Sequence, residues 1–220
     1  MRFQYRRCAG LAAVVLLWGN MAAGREANGG HEIRVLVNNS AGVSVAILNQ
    51  AKVEASRIFR AAGIEIDWVD CPGTRVEDDA CRRVPGSNDF VLHIVAKGKI
   101  SSDLVFGLSF LGKDGEGKYS DIFYDPVQQG HRELGADVPT LLGTVAAHEL
   151  GHLLLGLHAH SYAGIMAAVW NEEALRNLRM GGLRFSGDQA ARMRARIRGG
   201  ERTLVRVTAS EGRSGRGLGF

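Results

Sequence analysis

A chain of 220 residues with 45% hydrophobic content is long enough to bury a real core and somewhat long for one typical domain. Its 27 basic and 23 acidic side chains give a formal charge of +4, too small an excess to require a polyanionic partner. After the N-terminus, no stretch approaches the roughly 18 uninterrupted apolar residues of a spanning helix, which excludes an internal membrane anchor.

Residues 1–24 read as a secretory signal peptide. Arg2, Arg6 and Arg7 precede the apolar run "CAGLAAVVLLW", and "MAAG" offers small residues for cleavage after Gly24. Cys8 stands ahead of the apolar run, which disfavours a lipoprotein. Cleavage removes three arginines and no acids, so the charge falls to +1. The expected organisation is a signal peptide over 1–24, one domain over 25–198 and a basic, Gly-rich tail over 199–220. The expected location is secreted or periplasmic, with no stable membrane insertion after cleavage.

From there the elements alternate. "HEIRVLVNN" (31–39) has the alternation and β-branched content of a strand. The segment from Val43 to Gly63 places Ile47, Leu48, Ala51, Ala55, Ile58, Phe59 and Ala62 on one helical stripe, with Gly63 as its stop. "IEIDWV" (64–69) predicts a second strand. Pro72, Gly73 and a run of charges then predict a loop holding Cys71 and Cys81. Signal cleavage leaves these as the only cysteines, and in an oxidising compartment a close pair reads as one disulfide.

"DFVLHIVA" (89–96) is a third expected strand. "LVFGLSFLG" and "YSDIFYDPV" form a further pair joined by the turn "KDGEGK". A long helix begins near Asp137, which can cap it, tolerates Pro139 in its first turn and runs through "TLLGTVAAHELGHLLL". A further helix closes the domain. The fold class expected is α/β (α+β): a mixed twisted sheet backed by two long helices, with a small helical C-terminal subdomain. The arginines from Arg192 onward read as a solvated tail, and with no recognised motif beside them no nucleic-acid partner is expected.

The segment that carries chemistry is "HELGHLLLGLHAHSYAGIM", from His148 to Met166. His148 and His152 lie four residues apart and so project from one helix face, within reach of a single ion. Glu149 can reach a water on that ion without being a ligand itself. Neutral imidazoles holding a Lewis acid, an open position and a carboxylate to take a proton are the parts of a zinc hydrolase.

This segment resembles the metzincin clan of zinc metallopeptidases, and its "HS" at His160 and Ser161 is similar to the matrixin branch. "HELGHLLLG" followed by "AHSxxGIM" also resembles uncharacterised exported bacterial proteins. The likeness covers roughly 31–170, with only 148–166 specific. It implies a zincin-type fold, Zn²⁺ as cofactor, a third histidine ligand, Glu149 as general base and Met166 as the methionine of the turn beneath the metal. It also implies a peptide or protein substrate lying along the "YSDIFYDPV" strand at the sheet edge.

The clan's glycine would fall at 155 and its last ligand at 158; here Leu155 stands there and the glycine follows at Gly156. A helix one residue longer needs a longer return loop, which favours His160 as third ligand, with His158 as the alternative. Ala168 occupies the place of the clan's tyrosine. The expected function is thus an exported zinc-dependent endopeptidase, acting as a monomer. The alternatives are a zinc hydrolase of a non-peptide amide and an exported metal-stabilised binding module without turnover.

Overall fold

The computed structural model describes residues 30–71, 79–97 and 105–214. The expected signal peptide and the last six residues of the tail lie outside the described residues. In chain order the elements are β1 (His31–Asn39), α1 (Val45–Ala61), β2 (Ile64–Asp70), α2 (Asp79–Arg82), β3 (Asp89–Val95), β4 (Gly107–Phe110) and β5 (Tyr119–Phe123). Four helices follow: α3 (Tyr124–Leu134), α4 (Val138–Leu155), α5 (Glu172–Arg179) and α6 (Gly187–Ser214).

Five strands form one mixed sheet in the order β2-β1-β3-β5-β4. All neighbours are parallel except β4, which runs antiparallel to β5 and closes the edge. Period-two alternation sends Ile33, Val35 and Val37 of β1, and Phe90, Leu92 and Ile94 of β3, to the helix-covered face, where all are fully buried. The α1 stripe packs there with Leu48, Ala51, Ala55, Ile58 and Phe59 buried. Alongside it α4 is buried on nearly all sides. A helix held this way is rigid, because any tilt opens voids in a close-packed core.

Several details differ from the sequence reading. "YSDIFYDPV" is not an edge strand: β5 pairs with both β3 and β4, so among the described residues the sheet's edges are β2 and, on this side, β4. The same segment stops being a strand at Phe123, and Tyr124 begins α3. Only Val127 and Gly130 of α3 are buried, so its apolar stripe is too thin to register as a helix in the sequence. The cysteine loop holds the single-turn helix α2, and Cys71 and Cys81 are joined as a disulfide with Cα atoms 5.7 Å apart. Two helices rather than one follow Met166, and α6 continues past residue 198 to Ser214. Among the described residues no helix is long and apolar enough to cross a membrane.

Candidate metal centre

The centre starts from the cap of α4. Asp137 accepts from Thr140 N at 2.7 Å and from Thr140 Oγ1 at 2.8 Å, and Pro139 sits in the first turn where no donor is lost. The helix then carries His148 and His152 one turn apart on the face turned away from α1. The Nε2 atom of His152 lies 3.1 Å from that of His148 and 3.1 Å from that of His160. One ligand atom from each of the three lies within 4.8 Å of the others. The sequence favours His160 over His158 for the third position; the geometry groups His160 with the helix pair and leaves His158 exposed outside the group.

The return loop explains how. Gly156 ends α4 with φ 76° and ψ −155°, an extended conformation of positive φ that a side chain would resist. His158 has φ 59° and is the one non-glycine with positive φ among the described residues. Together these two residues double the chain back, bury Ala159 and bring His160 over His152. The loop then closes on itself: Ser161 N donates to Met166 O at 2.8 Å, and Gln189 of α6 reaches Ser161 Oγ at 3.2 Å. Met166 is fully buried beneath the helix. A Cβ placed on Gly151 would come within 2.6 Å of its sulfur, so the glycine between Leu150 and His152 is what lets the methionine approach.

The donor chemistry fits Zn²⁺, which takes three neutral imidazoles in catalytic centres. His148 Nδ1 lies 2.7 Å from the carbonyl of Ile165, which holds the proton on Nδ1 and leaves the Nε2 lone pair facing its partners. Trp170 Nε1 donates to the same carbonyl at 3.3 Å and its ring stands edge-on to His148. Burial lowers the pKa of His148, and burial with the neighbouring His148 and His160 lowers that of His152 to about 4. Both helix imidazoles are therefore neutral at pH 7, the form that binds a metal.

Glu149 points from α4 toward β4 and is only 5% exposed. Burial pushes its carboxyl up to about 7, partly offset by a hydrogen bond from Ser109, whose Oγ lies 2.7 Å from Oε2. Ser109 was not singled out in the sequence. It lies 40 positions before Glu149, and only the small-residue alternation Gly107, Ser109 on β4 hints that this strand face is occupied by something else.

These groups open onto a cleft of about 780 Å³. Its walls are β4, α3 from Gly130 to Leu134, the return loop, and a stacked pair of Phe106 and Trp170 with ring centroids 6.3 Å apart. Leu108 of β4 is exposed on its rim, and Phe110, two residues on along the same face of the strand, is exposed as well. The other histidines lie elsewhere: His93 contacts Ser40 Oγ at 2.8 Å and Asp121 on the sheet, His31 contacts Arg198, and His131 contacts the carbonyl of Ala136.

No protein-family model and no curated protein matches this chain. Among solved structures it is similar to a zinc-dependent peptidase from Methanocorpusculum labreanum, at 15% identity over 72% of this chain and 99% of that chain, with a TM-score of 0.49. It is also similar to archaemetzincin from Methanopyrus kandleri, at 14% identity over 77% of this chain and 97% of that one, with a TM-score of 0.48.

Proposed function

We propose that this chain is an exported zinc-dependent endopeptidase of metzincin type, with His148, His152 and His160 as ligands and Glu149 as the proton-transfer group. The observation that carries the reading is the convergence of three Nε2 atoms beside a buried carboxylate, on a cleft bordered by a free strand edge. The methionine under the helix and the glycine that ends it support the metzincin type. The disulfide between Cys71 and Cys81 and the basic-then-apolar N-terminus support export.

A zinc ion bound here supplies a Lewis acid that makes water more acidic and polarises a carbonyl. The rest falls to the chain. An extended peptide adds to the edge of β4 through main-chain hydrogen bonds, its alternate side chains directed into the cleft. Glu149 takes a proton from the attacking water, whose oxygen forms the new bond to the scissile carbon, and gives that proton to the nitrogen as the C–N bond breaks. The apolar side chains of Phe106, Trp170 and Leu134 line the cleft beside that exchange.

The test is elemental analysis together with cleavage of fluorescein-labelled casein. One zinc per chain, retained in Glu149→Gln while turnover is lost, is the expected result. Undiminished cleavage by Glu149→Gln, or a chain that takes up no zinc when refolded with it, would sink the reading.

A further inference from the structure

Strand β4 does more than offer an edge. Its outward residues, Leu108 and Phe110, are exposed, while its inward residues, Gly107 and Ser109, both meet Glu149. Ser109 Oγ lies 2.7 Å from Glu149 Oε2, 2.8 Å from Ser120 Oγ and 2.9 Å from the Glu149 carbonyl. Ser120 is its directly opposed partner on β5 and is 1% exposed. The opposed Ser120 is fully buried and Ser109 half-buried, and their cross-strand hydrogen bond leaves the shortest contact of Ser109 directed beyond the sheet, at Glu149.

A hydroxyl has one proton and two lone pairs. Ser120 can donate to Ser109, which then donates to Oε2, the shortest of its three contacts. Oε1 receives no hydrogen bond from the described residues. No buried side-chain polar atom among them lacks a partner, so Oε1 opens to the cleft. Beside it, a Cβ on Gly107 would stand 2.7 Å from Oε1 and 2.7 Å from Cγ of Glu149, so that position has room for the carboxylate only as glycine. When Oε1 carries a proton, Oε2 is the carbonyl oxygen of the acid and still accepts from Ser109. The same contact therefore serves both forms, and the side chain need not turn between taking a proton and giving it.

We propose that Ser109, backed by Ser120, is a positioning residue that holds Glu149 in one rotamer and reserves Oε1 for proton transfer. This rests on the reading of Glu149 as the proton-transfer group. A free glutamate samples several rotamers, and a reacting group displaced by about 1 Å can lose a hundredfold in rate.

The experiment compares the zinc-loaded full chain with Ser109→Ala, Ser120→Ala and Glu149→Gln, using fluorescein-labelled casein for kinetics and crystal structures for the rotamer. In Ser109→Ala, kcat should fall by about tenfold to a hundredfold with KM and zinc content unchanged. Glu149 should then occupy more than one rotamer, and Ser120→Ala should show a smaller fall in the same direction. A Ser109→Ala crystal structure with Glu149 in a single unaltered rotamer, or an unchanged kcat, overturns the proposal. Should Glu149→Gln itself keep turnover, the proton-transfer reading fails, and the rotamer comparison still decides whether Ser109 holds the carboxylate.

Discussion

The two halves of the candidate centre are built by different means. His148, Glu149 and His152 ride on α4, a helix buried on nearly every side, so their spacing follows from helical geometry and their direction from core packing. His160 is exposed and rides on a loop whose path depends on two residues of positive φ and a few hydrogen bonds to Met166 and α6. Contacts that follow from a packed helix survive most local changes. Contacts that depend on one glycine and one turn do not, so the loop is where the site can be lost without unfolding the protein.

The largest break in that comparison is chemical rather than structural. Glu149→Gln should cut casein cleavage by about a thousandfold, as expected for loss of a general acid–base group, while zinc content measured on the same sample stays at the parental level.

The burial of Glu149 gives the next largest effect, in the metal-free protein. Its carboxyl is raised from the ordinary 4.5 to about 7, so the folded chain keeps a proton that the unfolded chain has released. The stability tied to this group is complete below pH 4.5 and is lost as pH rises through about 7. Glu149→Gln escapes that loss. At pH 8 the metal-free variant should exceed its parent by up to about 3 kcal/mol in denaturant unfolding, with the gap closed by pH 4.5. His152 acts in the opposite sense: its pKa is lowered to about 4, so both proteins lose stability as pH falls from 6.5 toward that value. A variant no more stable than its parent at pH 8 would mean that Glu149 is better solvated than its 5% exposure implies.

Removing one histidine from each half sharpens the contrast. His148→Ala and His160→Ala should both lose zinc by elemental analysis. Only the first should weaken the metal-free fold, by about 1 kcal/mol for the lost bond to Ile165, against less than about 0.5 kcal/mol for the exposed His160. Equal destabilisation by the two would erase the distinction between helix and loop.

Gly156→Ala probes the loop directly. Its φ of 76° resists a side chain, and a Cβ there would meet the carbonyl oxygen of Gly115 at 3.0 Å. A loss of about 1–2 kcal/mol in thermal unfolding is expected, with weaker zinc retention in a chelator titration. The smallest effect is expected at His158. His158→Gly should leave zinc content unchanged and alter stability by less than about 0.5 kcal/mol, because relief of the positive φ is offset by greater freedom of the unfolded chain. Loss of zinc in that variant would reopen the choice of third ligand.

Local patterns made much of this legible. The α1 stripe, the β1 and β3 alternation, the cap at Asp137 and the histidine pair each depend on residues within a few positions of one another. What escaped was what depends on distant partners. The resemblance implies an edge position for "YSDIFYDPV", and local alternation cannot correct it, because alternation says that a strand exists and not which neighbours it acquires. Helix α3 was missed because its buried residues are few. Ser109 was missed because nothing near it in the chain announces Glu149.

By itself, then, the sequence determined the period and polarity of the main elements, the pairing distance of His148 and His152 and the chemical types available to the centre, all through interactions a few residues long. The tertiary structure decided the order of strands, the free edge at β4, the grouping of His160 rather than His158 with the helix pair and the hold of Ser109 on Glu149. The physical reason is that these depend on where a chain returns after a turn. That path is set by backbone angles such as those of Gly156 and His158 and by the packing that receives it.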